Sequence, residues 1–193
     1  MTIQELFIRS NHELMKVVDQ IKDDQWGVIL PDYASMNPSN LLDAVRYHIY
    51  DDAWVPDVLA GKTAEEVGDA YDSLKNVVSD NVKAEYAKYN QRACASVEGF
   101  SDLEREAHLS YGDFKASEYL QHVTSFRAIR AYDLAKLIGV DSSMDDEYAQ
   151  ALMDEYTSHI QFYRQVGVFP AAVEVPTDAD LQTRLLGMFG RQA

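Results

Sequence analysis

Cysteine is nearly missing from this chain, apolar runs of membrane-spanning length are missing altogether, and Lys and Arg (17) are far outnumbered by Asp and Glu (32). The single cysteine, Cys94, excludes an internal disulfide and fits a reducing compartment. It sits in Gln91-Arg92-Ala93-Cys94-Ala95-Ser96, a helical stretch with no paired His, and reads as a small core residue rather than a nucleophile. No apolar run approaches the roughly 20 residues that a membrane-crossing helix needs. The opening Met1-Thr2-Ile3-Gln4-Glu5-Leu6-Phe7 has no basic start, apolar stretch or small-residue cleavage site, so a cytoplasmic location is expected. The formal net charge of -15 repels phosphate backbones and anionic lipid. With no local Lys/Arg cluster against it, neither nucleic acid nor a membrane is an expected partner. Repeats and low-complexity segments are also lacking, which leaves one domain over 1–193.

What is present is helical periodicity. Ile3, Leu6, Phe7, Leu14, Val17, Val18 and Ile21 recur at helix spacing behind a Thr2/Glu5 capping box. Asn37-Pro38 reads as the start of a second helix ended by Gly61, and Thr63 with Glu66 as another capping box. A third long helix is expected beyond Gly68, carrying Leu74, Val77, Tyr86, Tyr89 and Ala93. Residues 97–114 read as an irregular crossover with a short extended piece. A fourth long helix runs from about Lys115 to Ile138 with Gly139 as its stop, and another from Ser143 to about Gln165. Thr177-Asp178 is expected to cap a final short helix through Leu185 and Phe189. The expected fold class is all-α, a four-helix bundle with accessory short helices and a C-terminal tail helix.

Three segments, in order, carry a resemblance. The first is Asp51-Asp52-Ala53-Trp54 running to Leu59-Ala60-Gly61-Lys62-Thr63. The second is Tyr111-Gly112-Asp113 with Glu118-Tyr119, then Tyr132-Asp133-Leu134-Ala135 and Ile138-Gly139. The third is Val175-Pro176-Thr177-Asp178-Ala179-Asp180 leading into Gln182-Thr183-Arg184-Leu185-Leu186 and Phe189-Gly190-Arg191. Together they resemble the DinB-like proteins related to mycothiol-dependent maleylpyruvate isomerase, in the short form without the extra C-terminal domain. The resemblance implies a helical bundle holding a divalent metal, usually zinc, by a His late in the second helix and an acidic-x-x-x-His pair before Asp-Leu-Ala. Such a site leaves positions open for a thiolate or water, and the best-known relatives use mycothiol as the thiol.

Carried over residue by residue, that ligand set is lost. Counting back from Asp133-Leu134-Ala135 places the His at Arg130 and its acidic partner at Phe126, and neither side chain can bind zinc. Counting back from Trp54 places the remaining His at Tyr47, with His48 one position along, where a one-residue shift turns the helix by about 100°. The family's signature between the first two helices is replaced by Leu30-Pro31-Asp32 and Asn37-Pro38-Ser39. No metal is therefore expected at the family position.

Several polar residues keep two readings. Glu118 and His122 are either a displaced metal pair or an ordinary i, i+4 pair. His48 is either a ligand or base, or a hydrogen-bonded core residue. Arg130 and Asp133 are either a structural salt bridge or, with Tyr47, His48, His122 and Phe126, part of a pocket in which Arg130 meets an anion. The functional expectation is a small-ligand-binding or regulatory member, with an anion as the candidate ligand and enzymatic activity left open. The alternative is a metal- and thiol-dependent isomerase or transferase with a relocated site, requiring zinc or another divalent ion and mycothiol. A dimerisation module is a third reading, since related bundles often pair through helix faces.

Overall fold

The computed structural model describes residues 1–31 and 40–192. Among these it is mostly helical, 64% helix in eight α-helices with one two-stranded sheet. Helix α1 (Ile3–Gln20) begins at the expected box, in which Thr2 accepts from the Glu5 amide and the Glu5 carboxylate accepts from the Thr2 amide. The Asn37-Pro38 start lies outside the described residues; α2 (Leu41–Leu59) is capped by Asn40, whose side chain accepts from the Asp43 amide. Its end at Gly61 is as expected, with φ +79°. The Thr63/Glu66 box opens the four-residue α3 (Ala64–Val67).

The third long helix starts later than its apolar pattern suggests. Leu74 and Val77 belong to a tight 3-10 segment and its cap, and α4 (Ser79–Glu98) begins after them. The crossover holds an antiparallel hairpin, β1 (Glu106–Leu109) with β2 (Gly112–Lys115), paired Glu106 to Lys115 and Leu109 to Gly112. It runs without a linker into α5 (Ala116–Ile138), which stops at Gly139 in the left-handed conformation. The helix expected over 143–165 is two: α6 (Asp146–Tyr156), capped by Asp145 rather than Ser143, and α7 (Ile160–Gln165). Thr157, Ser158 and His159 break the pattern with two short polar residues and a helical-turn His that caps nothing. The tail helix α8 (Leu181–Met188) is capped by Asp180, two residues beyond the expected Asp178, because Asp180 is the carboxylate that reaches the Thr183 amide.

Helix α1 packs along α5 and α4, and α2 along α4 and, more briefly, α5. Apolar residues cluster at one end around Leu14, Leu41, Ile49, Tyr86 and Leu134, at the other around Phe7, Val55, Val97 and Leu120, and beneath the tail around Leu152, Tyr156, Leu186 and Phe189. Each such fully buried side chain contributes about 1.5–3 kcal/mol through removal from water. The tail lies so close to α8 that a Cβ at Gly190 would come within 2.6 Å of the Ala171 carbonyl and the Pro170 ring. No helix among the described residues is long and apolar enough to cross a membrane.

Candidate functional site

At the centre of the packed helices sits a charged group, Arg127 of α5, with none of its side chain exposed. Its position repeats the apolar stripe of Leu120, Val123 and Leu134, so helix geometry drives the guanidinium inward. All three of its nitrogens are bonded. Nε donates to Asp52 at 3.0 Å and to Asn11 at 3.2 Å, Nη1 to the Val123 carbonyl at 3.0 Å and to Asp51 at 3.2 Å, and Nη2 to Asp52. Asn90 of α4 then donates to Asn11 at 2.9 Å. Four helices thus meet in one polar network. Burial disfavours the charge on Arg127, but Asp52 and Asp51 more than offset it and its pKa is raised. Burial raises the Asp52 carboxyl, against the pull of Arg127.

One turn before Asp52, on the same face of α2, His48 is 1% exposed, and neither ring nitrogen has a hydrogen-bond partner. Asp52 Oδ2 is buried and unbonded as well. Burial, then Arg127, then Arg130 hold the His48 pKa well below the ordinary 6.5, so the imidazole is neutral. Tyr47 meets the His48 ring edge-on at 5.7 Å and is 41% exposed, which places it at the rim. Asp51 foremost, then burial, raises the Tyr47 phenol. Arg130 is buried at 5% exposure and acts electrostatically on both Tyr47 and His48. Tyr47 and His48 are therefore both within the electrostatic reach of Arg130.

Phe126 and His122 precede Arg130 by one and two turns on the same face of α5, and both are half-buried. Phe126 packs on Phe169 at 5.7 Å. His122 lies edge-on to Phe114 at 5.0 Å and meets the Tyr111 hydroxyl at 3.3 Å through Nδ1. Burial lowers the pKa of His122 despite the nearby Glu118.

Two residues that kept two readings have other partners. Glu118 is not held for a metal with His122: it is exposed and its carboxylate accepts from the Lys115 amide at 2.9 Å, an N-terminal cap of α5. Asp133 does not pair with Arg130 and does not belong to the pocket, because Arg191 of the tail grips both its oxygens, at 3.2 Å and 2.9 Å. That bridge joins residues 58 apart in sequence, which no local spacing announces. Arg127 and Asp52 were missed as a unit for the same reason, although a charged residue on an apolar stripe is a legible signal for each.

A divalent metal does not fit the residues present. The positions that the resemblance assigns to the ligands hold an aromatic ring, a guanidinium and a phenol kept protonated, and the one buried imidazole feels two guanidinium groups that oppose a cation. No group of three or more His, Cys, Asp or Glu among the described residues is arranged to hold an ion. Cys94, 7% exposed, has its thiol pushed up to about 12 by burial and the Asp52 charge, which suits a core residue rather than a reactive thiol. Compared with known proteins, the chain matches no family model, no curated protein and no solved structure.

Proposed function

We propose that this chain is a DinB-like four-helix bundle, formed by α1, α2, α4 and α5, in which anion recognition replaces the metal chemistry of the class. The family reading is supported by the three ordered sequence segments and by four long helices joined through a crossover between α4 and α5. The functional reading is carried by one observation: His48 is buried with both ring nitrogens unused, beside two guanidinium groups.

A buried polar group without a partner costs about 1–3 kcal/mol, so this arrangement calls for an occupant that supplies the missing bonds. A neutral imidazole offers one donor and one acceptor, and the adjoining Arg127 and Arg130 favour negative charge over positive. A small carboxylate meets the charge condition and takes the imidazole N–H, and a hydrogen phosphate, which also carries an O–H, can in addition donate to the second ring nitrogen. Either accepts from the imidazole N–H and lies in the field of Arg130, with Tyr47 at the entrance. The protein then acts as a binding or regulatory member rather than as a thiol- and metal-dependent catalyst.

A thermal-shift screen with succinate, phosphate and benzoate tests this. Ligand binding to the folded state alone raises stability by about 2.7 kcal/mol at a hundredfold excess over Kd. At least one acid should raise Tm in the unaltered protein, and Arg130→Gln should remove the response while preserving the helical circular-dichroism spectrum. An unchanged response in the folded variant excludes Arg130 as the anchor.

A further inference from the structure

The anion site is one end of a longer strip, and the rest of the strip describes the rest of the ligand. His122, Phe126 and Arg130 follow one another at every fourth residue of α5, covering about 12 Å along the helix axis. Across from them on α2, Tyr47 feels Arg130, and Asp51, one turn on, bonds Arg127 and acts on Tyr111. The two helices therefore match Arg130 with Tyr47 and His48 at one end, and His122 with Asp51 and Tyr111 at the other.

The chemistry changes along this line. At the first end lie a buried guanidinium and an imidazole with both nitrogens unused. In the middle Phe126, half-buried and backed by Phe169 at 5.7 Å with the rings 32° apart, presents a flat apolar surface. At the far end the Asp51 carboxylate, with 27% of its side chain exposed, stands near the Tyr111 hydroxyl and His122, which is biased to its neutral form. That end offers acceptors in a half-dry setting, so it suits a hydrogen-bond donor.

Resting on the anion-binding reading, we infer that the ligand is an elongated aromatic acid with its acid group at Arg130 and His48, its ring on Phe126, and a donor group at Asp51 and Tyr111. An aliphatic acid of equal length satisfies only the first of the three contacts. A ring without a donor satisfies two. Neither substitutes fully, because the ring gains stacking on Phe126 and the donor meets the partly exposed Asp51 carboxylate.

Titration calorimetry near neutral pH with para-hydroxyphenylpropionate, phenylpropionate and hexanoate reads each contact separately. The hydroxylated acid should bind tightest and hexanoate weakest, with steps of about tenfold in Kd. Phe126→Leu, which keeps an apolar side chain of similar bulk, should bring phenylpropionate down to hexanoate. Tyr111→Phe and Asp51→Ala should each bring the hydroxylated acid down to phenylpropionate. If hexanoate binds as tightly as the ring acids and Arg130→Gln abolishes all three, the ligand class is wrong and the anion site stands. If the ring preference survives Phe126→Leu, the ring is not read on α5 and the inference falls alone. If none of the acids binds the unaltered protein, the anion site falls too.

Discussion

Two buried polar groups lie one helical turn apart on α2 and are treated in opposite ways. Asp52 faces Arg127, and all three nitrogens of that guanidinium donate to a carboxylate, an amide oxygen or a carbonyl. His48 is buried as deeply and has no bond at either nitrogen. A closed network of charges fixes how four helices meet, since each partner is costly to leave alone once dry. An open imidazole contributes nothing to that arrangement and lowers stability for as long as it stays unfilled. The difference separates the network that holds the helices together from the site proposed to take a ligand.

The largest way to break the contrast is on the closed side. Arg127→Met leaves Asp52 buried without its counter-charge and should cost about 3–5 kcal/mol in urea unfolding. Adding Asp52→Leu should recover much of that loss. Equal stability of Arg127→Met and the parent chain would mean the network is not closed in solution.

The open side predicts the reverse sign. His48→Leu removes two unsatisfied nitrogens and should raise stability by about 1–2 kcal/mol while abolishing acid binding. A destabilised His48→Leu would show that the imidazole already has a partner. The same residue sets a pH response. Its folded pKa lies below the ordinary 6.5, so on acidification the unfolded chain takes up a proton that the folded chain refuses. Stability from this source is present above about pH 6.5 and falls as the pH drops below it. His108 works oppositely, because its bond to Asp113 raises its pKa. Its contribution is present in acid and fades as the pH rises through that raised value. The difference between parent and His48→Leu unfolding curves from neutrality toward pH 5 isolates the first effect, and the advantage of His48→Leu should widen as the pH falls.

The smallest effect concerns Cys94, which borders the closed network through a contact with Asn90 at 3.8 Å. Native protein should react with a thiol reagent about a hundredfold or more slowly than unfolded protein, as expected for a buried thiol whose pKa is raised. Fast labelling would mean that the network opens locally.

Local physics was the legible part of the sequence. The boxes Thr2/Glu5 and Thr63/Glu66 and the stops at Gly61 and Gly139 depend on residues within four positions of each other, and all four form. The later start of α4, the break at Thr157–His159 and the shift of the tail cap to Asp180 depend on competition among near-equal local signals, which packing decides. Arg130 acts electrostatically on Tyr47 and His48, while Phe126, one turn before it on α5, packs on Phe169. Asp133 and Glu118 went elsewhere because Arg191 and the Lys115 amide, invisible to helix spacing, claimed them first. Arg127 was overlooked since its meaning lies in carboxylates some 75 residues away.

The junction between β2 and α5 has an evolutionary consequence. Lys115 ends the strand and precedes the first helical residue, while the Ala116 and Ser117 amides are tied to the Arg105 and Leu103 carbonyls at 2.8 Å and 3.0 Å. A single residue inserted there would turn everything downstream by about 100°, sending Arg130 into the place of Ala131, among Leu14, Val17 and Ile49. Length variation is therefore closed to this joint. A lineage descending from this chain can retune the strip only by exchanging side chains in place, so new specificities should arise at His122 and Phe126 and at the hairpin tip, where Tyr111 is free to change without moving the helix.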